Sequence, residues 1–223
     1  YKQWRLAQGF LLAHAGAVGS KGRCLALCGP SGAGKSTVAL GLLTEGLDFV
    51  SNDRLLLRPD AGEGVEVHGI PKHPRVNPGT ILFNDMLTGM IDEAERTRLL
   101  KLPPAELRVL EQKYDVLIDE HVGHGRFRMH GTLGALVVLN WTGTGPPTAR
   151  EIDLRRRPEL LPLITKSPGL FYEPEAGQSV DLTSERSLTT LERTPVVEIS
   201  GAQRFDEARR LCREILTSGA AIA

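Results

Sequence analysis

Apolar residues fall into short runs divided by glycine, proline and polar turns, with few stretches of long helical period. Such short, bounded runs predict buried strands. Phe10 to Val18 and Arg23 to Cys28 read as two strands joined at Ser20-Lys21-Gly22, a hairpin. A glycine-rich stretch follows. Thr37-Val38-Ala39-Leu40-Gly41-Leu42-Leu43 then reads as a helix that stops near Gly46, a natural C-terminal cap. Leu47 to Val50 and Leu55 to Leu57 predict two further strands, and residues 58–80, with Gly69, Pro71, Pro74, Pro78 and Gly79, an ordered irregular loop or β-excursion. Residues 84–114 read as helical, including Pro104 to Tyr114, where proline suits a first turn. Strands are expected at Asp115 to Ile118, Arg126 to Met129, Leu133 to Asn140 and Thr194 to Ile199. Gly143 to Pro147 reads as a loop, Pro158 to Lys166 as a short helix, and Gly169 to Asp181 as a run of turns. Phe205 to Leu216 is an amphipathic helix, with Phe205, Ala208, Leu211, Cys212, Ile215 and Leu216 on its inner face. This order predicts an α/β fold, a mixed sheet flanked by helices, forming one domain over 1–223 with an irregular insertion at 58–82.

Charge removes some partners from consideration. Lys and Arg number 27, as do Asp and Glu, so no net charge draws the chain to a nucleic acid or a membrane surface. The longest apolar stretch, Leu133 to Trp141, falls well short of the ~18 residues that span a bilayer. No signal peptide is visible, and a start at Tyr1 rather than Met reads as a piece of a longer protein. Cys24 and Cys28 share one strand and Cys212 lies in the last helix. Three cysteines without framework spacing suit a reducing, cytoplasmic setting.

The chemistry concentrates in Gly29-Pro30-Ser31-Gly32-Ala33-Gly34-Lys35-Ser36, followed by Thr37. It fits G-x-x-x-x-G-K-[ST] at every fixed position, between a predicted strand and a predicted helix. Glycines let backbone N–H groups curl around phosphate oxygens, and the helix N-terminus adds its positive dipole end. Lys35 would reach the outer phosphates and Ser36 would offer its hydroxyl to Mg²⁺. The pattern implies a nucleoside triphosphate, held with Mg²⁺. Two acidic partners compete. Asp53 ends the strand after the helix, whereas Asp119-Glu120 follows the apolar run Tyr114 to Ile118, as the metal-holding and water-activating acids of ATPases do; either can also be a solvated strand end.

The residues around Asp53 resemble the HPr kinase/phosphorylase family, more closely its HPr-kinase-related kinase branch. His14, in the first strand of the entry hairpin, stands where the family carries an active-site histidine. Val50-Ser51-Asn52-Asp53 matches the family's Val-Ala-Asp-Asp turn, whose second Asp takes the target serine's proton. Gly125-Arg126 resembles the family's Pro-Gly-Arg-Asn turn, whose Arg lies at the active site. The run Gly69 to Thr80 resembles the related-kinase branch. The resemblance implies a P-loop kinase domain of the HPr kinase C-terminal type, with Asp53 as general base, His14 and Arg126 beside it, and Lys35 on the phosphates. It implies phosphoryl transfer to a hydroxyl of an unidentified protein or peptide acceptor, and allows a homo-oligomer. Two departures stand out. Asn52 replaces the first Asp of the pair, and residues 72–80, nearest to the family's acidic Mg²⁺-binding run, contain no carboxylate. A small-molecule kinase and a non-catalytic ATP-binding switch stay open beside the protein-kinase reading.

Overall fold

Strand Arg23–Cys28 lies mid-sheet because its side chains are apolar on both faces, so both must be covered. The computed structural model describes residues 1–62, 64–103, 106, 107, 110, 112–167 and 184–218. In chain order its strands are β1 (Leu11–Ala13), β2 (Gly16–Ser20), β3 (Arg23–Cys28), β4 (Asp48–Ser51), β5 (Leu55–Pro59), β6 (Val65–Gly69), β7 (Arg75–Val76), β8 (Tyr114–Asp115), β9 (His130–Leu139), β10 (Thr148–Glu151) and β11 (Val196–Ser200). The helices are α1 (Lys2–Ala7), α2 (Lys35–Thr44), α3 (Pro78–Leu82), α4 (Glu93–Leu100), α5 (Ile118–His121), α6 (Leu161–Ile164), α7 (Ser184–Leu191) and α8 (Phe205–Ser218). The main sheet runs β1-β5-β6-β9-β3-β2-β4, with β11 also on β9 and β10 beyond β11. It is mixed: β3 and β11 run parallel to β9, while β2 is antiparallel to both β3 and β4. Hence β3, β4, β9 and β11 all end at the same edge. This is the α/β mixed sheet that the alternation of elements predicts.

Leu25 and Leu27 of β3 enter one core layer with Val137, Leu139 and Ile199, roofed by α2 and α8. Cys24, Ala26 and Cys28 enter the other, with Leu136, Val138, Leu57 and Ile164. The strand period of two sorts these residues, and each fully buried Leu or Ile side chain stabilises the fold by roughly 1.5–3 kcal/mol. Lys21 and Gly22 take positive φ in the two-residue β2–β3 turn. Helix α2 ends as expected: Gly46 has φ +97, and Gly46 and Leu47 donate to the carbonyls of Leu43 and Leu42, closing the last turn.

Several expectations need correction. Phe10 to Val18 is not one strand. At His14 the chain changes partners, from β5 beside β1 to β3 and β4 beside β2, and the His14 N–H donates to Ile164 O at 2.7 Å. Asp115 to Ile118 is not a strand either. Only Tyr114 and Asp115 pair, with β7 in a separate two-stranded sheet, and Ile118 opens α5. So short an apolar run suits a strand or a buried helical turn equally. Arg126 to Met129 is extended but forms a single bridge, Phe127 to Phe49. Pro158 to Lys166 is a 3₁₀ turn and then α6, ending where Thr165 bridges Ala13. Within 84–114 lie a 3₁₀ turn at Asp85–Met90 and α4; Pro104 to Tyr114 falls partly outside the described residues, and Gly169 to Asp181 wholly so. The excursion at 58–80 contains β6 and β7, and α1, α7 and β10 are further elements without a clear sequence pattern. Among the described residues no helix is long and apolar enough to cross a membrane.

Cys24, Cys28 and Cys212 are each at most 1% exposed, and burial raises all three thiols, Cys24 and Cys28 to about 12. A thiolate-specific reagent at pH 8 should therefore label none of the three in the native protein and all three in denaturant. Labelling of native Cys28 would contradict this packing.

Candidate functional site

The carboxyl edge of β3 opens into the glycine loop. Gly29, Gly32 and Gly34 hold φ of +141, +79 and +87, a region side chains disfavour. Two of them are also sterically fixed. A Cβ on Gly29 would meet Leu139 O at 2.6 Å, and one on Gly34 would enter the Phe205 ring. The loop therefore passes against β9 at Gly29 and against α8 at Gly34, with no room for a side chain at either. It delivers the chain into α2, a ten-residue helix whose first N–H groups lack partners within the helix. Lys35 folds back over the loop, its Nζ donating to Gly29 O at 2.8 Å and Pro30 O at 3.1 Å. Burial pushes its pKa down. Ser36 Oγ donates to Asn52 Oδ1 at 2.9 Å, and Thr37 shares a hydroxyl contact of 3.2 Å with Thr80 in α3.

Asn52 and Asp53 lie in the turn leaving β4, at that same edge. The turn is locked by buried Ser51, whose Oγ donates to Arg54 O at 2.5 Å and accepts from the Ile70 N–H at 3.3 Å. His14, just ahead of β2, arrives from the other side because β2 runs the opposite way. Its Nδ1 stands 3.3 Å from Asp53 Oδ1, and Arg54 reaches Asp53 Oδ2 at 2.6 Å and His14 Nδ1 at 3.1 Å. An arginine can only donate, so Nδ1 accepts and the neutral ring carries its proton on Nε2. Burial lowers the His14 pKa; Asp53 opposes this, and the positive charges of Lys35, Lys166 and Arg54 add to it. Lys166 comes from the segment after α6, anchored where its backbone N–H donates to Leu12 O at 3.0 Å.

The structure thus brings Gly29, Lys35, Ser36, Asp53 and His14 together. It adds Arg54 and Lys166, which sequence reasoning passed over although Arg54 is Asp53's neighbour. It does not bring Arg126. The Arg126 guanidinium sits at the far end of α2, roughly 15 Å of helix away. There Nε donates to Asp48 Oδ1 at 2.9 Å, and the other end donates to Leu43 O and Leu47 O. Those contacts neutralise the helix C-terminus. Arg75 is paired with Asp115 at 3.2 Å. Asp119 and Glu120 are exposed on α5, so the strand-then-acid arrangement of an ATPase is not formed by them. Among the described residues no three His, Cys, Asp or Glu side chains cluster as a metal site. The oxygens beside the loop that suit a hard cation are the Ser36 hydroxyl and the Asn52 amide, a set that fits Mg²⁺ arriving already held by phosphates.

No family model matches the chain, and no curated protein matches it in sequence. Among solved structures it is similar to the Hpr(Ser) kinase/phosphatase from Coxiella burnetii, over 93% of each chain, with 11% sequence identity and a TM-score of 0.46.

The position of Arg126 yields a test. Arg126→Ala removes charge-assisted hydrogen bonds from half-buried partners and should lower unfolding free energy by about 2 kcal/mol. MgATP affinity should stay within about twofold, since the guanidinium faces away from the loop. Chemical denaturation and calorimetry on the same preparation separate the two effects. An intact fold with a large loss of ATP binding would return Arg126 to the site.

Proposed function

We propose that the chain binds MgATP in the glycine loop and transfers the γ-phosphoryl group to a hydroxyl, most simply a Ser or Thr of a protein or peptide. The observation that carries this reading is the meeting, at one sheet edge, of the Lys35–Ser36 loop with the Asp53–His14 turn. A glycine loop alone would only bind nucleotide; a carboxylate held at its mouth supplies a proton acceptor.

The meeting of these residues at one edge supports these roles. Loop amides and Lys35 hold the β- and γ-phosphates, and Lys35 exchanges its two carbonyl partners for phosphate oxygens. Ser36 and Asn52 would hold Mg²⁺, which supplies charge neutralisation between the outer phosphates. Asp53 orients the acceptor. As the hydroxyl oxygen bonds to the γ-phosphorus, the bond from that phosphorus to the β-phosphate oxygen breaks and ADP leaves. The hydroxyl proton passes to the Asp53 carboxylate. Arg54 holds that carboxylate in place while donating also to His14 Nδ1 beside it, and Arg54 and Lys166 offset the negative charge gathered there.

Asp53 is 53% exposed, whereas His14 is 21% exposed. A base so open is reachable by a segment of another protein, which favours a macromolecular acceptor over a small molecule in a closed pocket. The fold as a single kinase domain acting in the cytoplasm belongs to the same proposal.

The reading is tested by three variants. Lys35→Ala should abolish measurable MgATP binding while circular dichroism stays native. Asp53→Asn should keep or raise nucleotide affinity, because a charge facing the phosphates is removed, yet slow transfer by ~10²–10⁴-fold. Glu120→Gln should change transfer little. Incubation with γ-labelled ATP and host lysate identifies the acceptor, and single-turnover transfer to it compares the variants. A transfer-competent Asp53→Asn protein would leave only nucleotide binding standing.

A further inference from the structure

Beside Asp53 the cations outnumber the groups that engage them. Among the described residues Arg54 makes all its hydrogen bonds through one nitrogen. Nη1 donates to Asp53 Oδ2 at 2.6 Å, to the Asp53 carbonyl at 3.2 Å and to His14 Nδ1 at 3.1 Å. Nε and Nη2 have no partner among those residues, and the side chain is 31% exposed. That edge is the fork with which a guanidinium grips a carboxylate in two parallel bonds. Lys166 is the second unspent cation. The Thr165–Ala13 bridge, His14 N–H to Ile164 O at 2.7 Å and Lys166 N–H to Leu12 O at 3.0 Å lay residues 164–166 along 12–14. The Lys166 side chain is exposed, and among the described residues nothing accepts from its ammonium. Its charge is felt at both His14 and Lys35, so it lies by the base as well as by the loop.

We infer that the acceptor is an acidic Ser/Thr segment, with an Asp or Glu next to the target hydroxyl taken up by the open edge of Arg54 and by Lys166. The inference rests on the function proposed above, which makes Asp53 the base and so puts the acceptor beside these two cations. Under that reading the triphosphate is met by the loop amides, Lys35 and the cation on Ser36. Arg54 and Lys166 are left over, on the open side of a 53% exposed base. Unspent positive charge at a rim draws an acidic partner and repels a basic one. Distance allows it as well. Neighbouring Cα atoms are about 3.8 Å apart, so a carboxylate one or two residues from the hydroxyl reaches a guanidinium already bonded to the base. The bidentate fork favours a carboxylate over a neutral side chain.

The rival occupant of these cations is the γ-phosphate, and one experiment separates the two. Synthetic peptide pools with a central Ser or Thr, flanked by Asp and Glu, by Ala and Gly, or by Lys and Arg, are offered with γ-labelled MgATP. The acidic pool should show kcat/KM roughly five- to tenfold above the neutral one, the size of a charge-assisted contact in a half-exposed setting. The gain should appear in KM and shrink as salt is raised. Lys166→Gln should cut that preference by about half or more through the acceptor KM, Lys166→Arg should keep it, and calorimetry should find MgATP affinity within about twofold in both. A large loss of MgATP affinity in Lys166→Gln, with the preference intact, would give the cation to the γ-phosphate and overturn the inference. Equal use of the three pools would overturn it too, while leaving the proposed transfer standing. Bound MgATP with no transfer to any pool would overturn the peptide-acceptor reading itself.

Discussion

The ladder between β3 and β9 decides where everything else can be. Leu27 pairs with Val137 and Cys28 with Val138, so β3 leaves the sheet directly beside the last residues of β9. At the next residue the Leu139 carbonyl stands 2.6 Å from the place a Cβ would occupy, and Gly29 is the consequence. Parallel pairing also settles direction. It puts the end of β11 on the same edge as β3, while the antiparallel steps through β2 return β4 to that edge. The glycine loop, the Asn52–Asp53 turn and the residues that follow β9 and β11 therefore share one rim without any element having been placed there separately. A one-residue slip in β9 would exchange the side chains of its two buried faces and move the Leu139 carbonyl away from the loop.

Residues whose role is set by their own backbone were the legible ones. The glycine loop is readable because positive φ and close approach demand glycine locally, wherever the rest of the chain goes. The Gly46 stop and the amphipathic α8 are local in the same sense. Arg126 shows the opposite case. A guanidinium after a glycine turn has the same sequence appearance whether it meets a phosphate or the carbonyls of a distant helix end, and only the fold shows that Leu43, Leu47 and Asp48 claim it. His14 and Asp53 were found through resemblance, not period, and their 3.3 Å approach depends on two strands running oppositely to one edge. Strand β10 was hidden for another reason. It pairs with β11 alone, and its largely exposed Thr-Ala-Arg-Glu sequence lacks the apolar alternation that marks a half-buried strand.

The charge pattern of the rim explains why so few acidic groups are needed there. Lys35, Arg54 and Lys166 lie within electrostatic reach of His14, against the carboxylate of Asp53, and the burial that strips water from the imidazole lowers its pKa. The rim is therefore short of negative charge, which the triphosphate of the proposed function would supply. Asn52 in place of a second acid fits that balance. An amide oxygen bonded to the Ser36 hydroxyl is a neutral ligand, so by itself it attracts a divalent cation weakly. In the proposed reading metal affinity would then come mainly from the phosphates, and cation and nucleotide would enter as one unit. Under the proposed function such a site would leave Asp53 free of a permanently bound metal, with its charge available to the proton of the acceptor hydroxyl.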